Sequence, residues 1–246
     1  MNQKILVCIP YCANDAVQAE RACDHVYRLN GKKSIGHALL VVNNDVHAEM
    51  RMKVKIAAEL AYETVEETIA PTVAEQYLND KFRQMNNLFR HAAMIAMHQF
   101  RWPWVWLEPD CVPVKPSWMK DLAEAYDAQP RKYLGLISSQ PGGQKFMARC
   151  GVYFTGASFE LDKLCQGDAP FPLITSTEVV RRATPTDLIQ YLNISTVENL
   201  SSISKSAVLV HGDKMGIFAE NMAEVPSNED QLPRLTRRQK REQVIV

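Results

Sequence analysis

The sequence predicts an α/β fold, with a mostly parallel central sheet and helices on both of its faces. Two observations predict it. The apolar runs Ile5 to Ile9, Ala38 to Val42 and Trp104 to Leu107 have strand length and no polar alternation, as strands buried on both sides do. Segments with apolar residues at helical spacing lie between them, so strands and helices alternate through residues 4–140.

Ile5 to Ile9 is the first strand, and Pro10 to Asn14 a loop. A helix follows, with Ala19, Ala22, Cys23, Val26 and Leu29 on one face and Gly31 as its stop. The second strand, 38–42, ends in Asn43-Asn44-Asp45. A helix over 47–61 and a short strand near 62–68 come next. The clearest helix runs from Asn79 to Phe100, with Met85, Leu88, Phe89, Ala92 and Ala96 as its apolar stripe. Pro103 ends that pattern, and the third buried strand runs into Glu108-Pro109-Asp110. A helix at 116–127 and a strand at 133–138 complete the alternating part. Beyond it, Gln140 to Gln144 reads as a turn, Arg149 to Phe154 as a strand, 158–165 as a helix and Pro170 to Pro172 as a turn. Residues 174–182 and 185–193 read as helices, the second with Pro185 at its first position. A last strand at 206–210 leads into His211-Gly212-Asp213-Lys214.

With 246 residues and 46% hydrophobic content, the chain can bury one large core. Residues 1–225 read as a single domain. The stretch 226–246 has few large apolar residues and reads as a flexible basic tail, with Arg234, Arg237, Arg238, Lys240 and Arg241. Acidic and basic residues balance at 28 each, so global charge points to neither a nucleic-acid nor a membrane partner. The six cysteines show no CxxC pair or zinc spacing and read as free thiols of a reducing compartment. No signal peptide and no membrane-length apolar run is evident, so a cytoplasmic location is expected.

Ligands of parallel sheets bind at the carboxyl ends of the strands. Two polar groups sit at such ends. Glu108 and Asp110 follow a strong apolar strand, and two hard oxygens are a recurring way to hold magnesium or manganese. Taken alone, the triplet reads sooner as a strand end with two solvated acids. His211-Gly212-Asp213-Lys214 follows Val208-Leu209-Val210. It offers an imidazole for a borderline metal, a glycine for close backbone approach and a lysine for a phosphate. Taken alone, it is equally a polar turn.

Together these motifs resemble the nucleotide-diphosphosugar glycosyltransferases of the GT-A, Rossmann-like fold. Ile5 to Pro10 matches their first strand. Glu108-Pro109-Asp110 matches their Asp-x-Asp metal motif, His211 their late metal ligand and Lys214 their diphosphate partner, over residues 4–215. The resemblance implies a sugar transfer from a nucleotide-sugar, a UDP-sugar first among them, with Mn2+ or Mg2+ held by Asp110 and His211. It implies donor contacts from Pro10, Tyr11, Asn43, Asp45, Arg83, Asn87, Glu108 and Lys214, with the Tyr11 ring stacking on the base. Asp187 and Glu178 are the candidate catalytic bases; Asp187, in the expected first helical turn, equally suits a cap. Trp118 is placed to touch a sugar.

For the acceptor, the basic tail favours a hydroxymethylpyrimidine of bacteriophage DNA, since phosphate contacts drive non-specific DNA affinity. A bacterial polysaccharide or glycan acceptor is the alternative, and a non-catalytic nucleotide-binding module a second. A nucleotidyltransferase would carry a Gly-rich basic loop where Pro10 to Asn14 stands, and a dehydrogenase would carry GxGxxG.

Overall fold

The structure is a computed structural model describing residues 4–73, 80–139, 143, 145–158, 160–161, 178–214 and 216–217. Its elements are β1 (Leu6–Tyr11), α1 (Ala16–Leu29), β2 (His37–Val42), α2 (Ala48–Ala61), β3 (Thr64–Ile69), α3 (Lys81–Ile95), β4 (Trp104–Trp106), β5 (Cys111–Pro113), α4 (Trp118–Asp127), β6 (Tyr133–Ser139), β7 (Lys145–Tyr153), α5 (Glu178–Arg181), β8 (Ala183–Pro185), β9 (Ile189–Tyr191) and β10 (Leu209–His211).

A seven-stranded sheet has the order β3-β2-β1-β4-β7-β6-β8. β3, β2, β1 and β4 are parallel. β7 runs antiparallel to both β4 and β6, and β8 lies parallel to β6 at the edge. Period-two alternation splits the strands between two cores. Val7, Ile9 and Tyr11, with Leu40, Val42 and Val105, face α1, α2 and Trp118 and Leu122 of α4. Leu6, Cys8, Leu39, Val41, Trp104 and Trp106 face Leu88, Phe89, Ala92 and Ala93 of α3. The predicted fold class therefore holds, with helices on both faces.

Asp80 caps α3, accepting from Phe82 N at 3.0 Å and Arg83 N at 3.1 Å. The helix continues as a π-helical turn, Ala96–Phe100, and Arg101 closes it in the left-handed region at φ 57°. A second sheet, β5-β10-β9, stands beyond the end of β4. β10 pairs antiparallel with β5 and parallel with β9.

Four expectations are corrected. Residues 185–193 are not a helix: they contribute β8 and β9, joined by a bend at Asp187 and Leu188. β1 extends to Tyr11, so the loop begins at Cys12. β7 begins at Lys145, earlier than expected. Trp118 is fully buried against the first core, so it has no free face for a sugar. The basic tail, the turn around Pro170 to Pro172, most of the 140–144 turn and of the helix 158–165, and residues 174–177 of the helix 174–182 lie outside the described residues; 178–181 are helical as expected. Among the described residues no helix is long and apolar enough to cross a membrane.

Candidate active site

Glu108 and Asp110 leave the end of β4 in a tight turn closed by Cys111 N donating to Glu108 O at 2.8 Å. The chain then reverses into β5, where Cys111 is the register partner of His211. The backbone thus delivers His211 beside both carboxylates. Its Nε2 lies 3.2 Å from Glu108 Oε2 and 3.3 Å from Asp110 Oδ1. One donor atom each from Glu108, Asp110, Cys111 and His211 lies within 4.8 Å of all the others.

Main-chain bonds lock the two halves together. Gly212 N and Asp213 N both donate to Asp110 O, at 2.9 and 3.0 Å. Leu192 N, just past β9, donates to His211 O at 2.9 Å, and the Tyr191 ring meets the imidazole edge-on. Asp213 is fully buried, and Gln18 on the first turns of α1 donates to its carbonyl.

Glu108 is only 5% exposed, and a buried carboxylate must be paired. Arg149 Nε donates to its Oε1 at 2.9 Å, and the Trp106 indole approaches the same oxygen at 3.4 Å. Burial alone would raise the Glu108 pKa; Arg149, His211 and Trp106 outweigh it and bring it down to about 2. Burial alone would lower that of His211; Asp110 and Glu108 reverse this and push it up to about 11.

The loops after β1 and β2 are tied to each other. Asn43 N donates to Tyr11 O at 2.9 Å, and Ala13 N donates to exposed Asp45 at 3.2 Å. Asn43 is 7% exposed and Pro10 is buried. Tyr11 departs from its expected role. Its ring is 1% exposed and packs in the first core, so it has no free face for a base. Arg83 pairs with Asp80 at 3.5 Å, and Asn87 donates to Pro71 O at 2.6 Å, binding α3 to the end of β3. Lys214 is exposed just after the His211 turn.

Asp187 is exposed, and not in a helical first turn. β9 runs from the Ile189–Leu209 pair to the Tyr191–His211 pair, so Asp187 lies off the end of β9 opposite His211. Glu178 opens α5, and its side chain lies outside the described set.

Three neighbours of the cluster were missed from sequence. Arg149 interrupts the apolar run Met147 to Tyr153, a buried-strand charge that demands a partner. Asp15 accepts from Cys12 N at 2.6 Å; its carboxyl is pushed up by burial and, to a lesser degree, by the Glu108 charge. Gln18 carries no sequence signal. Cys111 joins the metal-capable group although cysteine spacing gave no hint of it.

No protein-family model matches the sequence, and no curated protein matches it. Solved structures do. The galactosyltransferase LgtC in complex with donor and acceptor sugar analogs aligns at a TM-score of 0.54 with 8% identity, over 91% of this chain and 98% of that one. Mouse xyloside xylosyltransferase 1 in its apo form aligns at 0.53 with 10% identity, over 86% and 98%. The glycosyltransferase GlyE of Streptococcus pneumoniae TIGR4 aligns at 0.53 with 11% identity, over 98% of this chain and 60% of that one. Likeness at such identities speaks to architecture, and it agrees with a mostly parallel central sheet flanked by helices. The chain has the GT-A glycosyltransferase fold.

Proposed function

We propose that this protein is a metal-dependent glycosyltransferase that moves a sugar from a nucleotide-diphosphosugar to an acceptor hydroxyl. The observation that carries the reading is the convergence of Glu108, Asp110 and His211 where the parallel strands end, in a GT-A fold. Two carboxylate oxygens and an imidazole nitrogen form a mixed oxygen and nitrogen donor set, which suits manganese and also accepts magnesium. Asp110 and His211 would hold the ion, with Glu108 Oε2 beside them. The ion would supply positive charge to the departing diphosphate.

The remaining work falls to the chain. Asn43 and Asp45 flank the place for the nucleoside, with Pro10 beneath it, and Lys214 offers a point charge to the diphosphate. Arg83 and Asn87 border it from α3. In the transfer, a bond forms between the acceptor oxygen and the anomeric carbon as the bond from that carbon to the phosphate oxygen breaks. The electron pair leaves with the diphosphate. The acceptor proton passes to a carboxylate, for which Glu178 and Asp187 are the candidates. A kcat loss of about 10²–10⁴-fold in E178Q or D187N would mark the base.

For the acceptor we favour a hydroxymethylpyrimidine in DNA over a glycan hydroxyl. Its support is the basic run Arg234 to Arg241, which lies outside the described residues. Transfer to hydroxymethylated DNA that weakens steeply with salt is expected; transfer only to oligosaccharides would favour the glycan reading. We place the reaction in the cytoplasm, on the support of the free thiols Cys8, Cys12, Cys23, Cys111 and Cys150.

Calorimetric titration with UDP and GDP, with and without Mn2+, tests the central reading. Binding of one nucleotide that requires the metal is expected. Binding of neither, under any metal condition, would point to a different donor or to a non-catalytic module.

A further inference from the structure

The geometry points to Arg149 as a second cationic contact for the donor's diphosphate, held in place by Glu108, an inference that rests on the glycosyl-transfer reading above. The backbone brings the two residues together. Trp106 of β4 pairs antiparallel with Gly151 of β7, and two further steps along each chain set Glu108 opposite Arg149. The Arg149 carbonyl accepts from the Tyr153 hydroxyl at 2.7 Å, and Tyr153 is itself stacked on Trp104 in the second core. The arginine therefore projects from a rigid strand rather than from a loop.

A guanidinium carries five N–H donors, and Nε of Arg149 meets Glu108 Oε1 at 2.9 Å. The Arg149 side chain is 24% exposed and that of Glu108 6%, so solvent reaches the arginine more than its partner. A guanidinium fixed by a buried carboxylate is a preorganised donor for a phosphate contact.

Charge gives the same answer. The charges of Glu108, Asp110 and a divalent ion would cancel, and Arg149 would add a positive charge beside them, with exposed Lys214 as a second. A phosphate oxygen that gains charge as the glycosidic bond breaks is best held by such fixed donors. The arginine also acts in opposite directions on the two ligands: a fixed cation repels a metal ion and attracts a diphosphate.

That opposition separates a diphosphate contact from a merely structural ion pair. In R149Q, affinity for UDP (or whichever nucleoside diphosphate the wild type binds) in Mn2+ is expected to fall about 10–100-fold, as for loss of a charge-assisted bond. Affinity for the matching monophosphate should change less than about threefold, and Mn2+ alone should bind as well as or better than before. R149K keeps a cation beside Glu108 without the fork, so it guards against an R149Q that fails to fold; its diphosphate affinity should drop about fivefold or more. Wild-type diphosphate affinity in either folded variant overturns the proposal, as does equal weakening of diphosphate and monophosphate, or joint loss of Mn2+ and nucleotide. A wild-type protein that binds none of UDP, GDP, ADP, CDP and dTDP with Mn2+ overturns the reading beneath it, and the proposal with it.

Discussion

The carbonyl of Asp110 accepts the Gly212 amide at 2.9 Å, so the two halves of the candidate site are joined by main chain. The Asp110 side chain is free of that task and contacts His211 instead. Replacing the side chain should therefore spare the fold. D110A is expected to abolish Mn2+-dependent nucleotide binding and transfer in a protein that still unfolds cooperatively, its Tm lowered by the lost Asp110–His211 contact. Calorimetry and a thermal melt check both halves, and undiminished transfer would remove Asp110 from the metal site.

Gly212 is the other partner of that bond, and its conformation admits little else. Its φ is +121°, and a Cβ there would collide with the Leu192 carbonyl. The obstacle is backbone that also bonds to its surroundings, since Leu192 N is held by His211 O. G212A is expected to cost about 2–4 kcal/mol, a Tm loss of roughly 5–15 °C. An unchanged Tm would mean that the turn relaxes freely.

How far the sequence reached depends on how locally each feature is encoded. β1, β2 and β4 were legible because strands buried on both faces leave continuous apolar runs. The same alternation that puts Ile9 in the first core puts Tyr11 there too, two residues on, so the stacking role was refutable from the pattern itself. Residues 183–191 misled for a definite reason. Thr184-Pro185 starts helices, but a proline also sits without penalty on an edge strand, and β8 is the edge. Three-residue strands such as β8 and β9 are too short to show a period. Asp110 and His211 could be proposed because each follows an apolar strand. Arg149 could not be joined to Glu108, because only the β4–β7 register brings them together.

Phe89 links the fold to the site. Its ring lies 5.1 Å from Trp104, 5.0 Å from Trp106 and 5.1 Å from Tyr153, and it is 1% exposed. Trp106 in turn reaches Glu108, and Tyr153 holds the Arg149 carbonyl. F89A should cost about 3–5 kcal/mol through the cavity it leaves. F89L should recover part of that stability. A denaturant melt measures both, and a cost below about 1 kcal/mol for F89A would show that the aromatic cluster closes over the gap.

His211 makes the metal-free protein sensitive to pH in a defined direction. Its folded pKa is raised to about 11, against an ordinary value near 6.5, because Asp110 and Glu108 favour the imidazolium once their attraction outweighs burial. A raised folded pKa means that the folded state holds the proton more tightly than the unfolded chain does. The stabilisation is therefore complete below about pH 6.5, shrinks above it, and is gone once the pH has passed about 11. Comparing wild type with H211Q in chelator isolates this contribution, since lysine and tyrosine titrations are common to both. The Tm gap between them should be widest near pH 6 and narrow steadily toward pH 10. Manganese competes for the same nitrogen, so at pH 7 its binding should release about one proton, read from calorimetric enthalpies in buffers of different ionisation enthalpy. A Tm gap independent of pH, or metal binding without proton release, would show that the imidazole is neutral in the metal-free site.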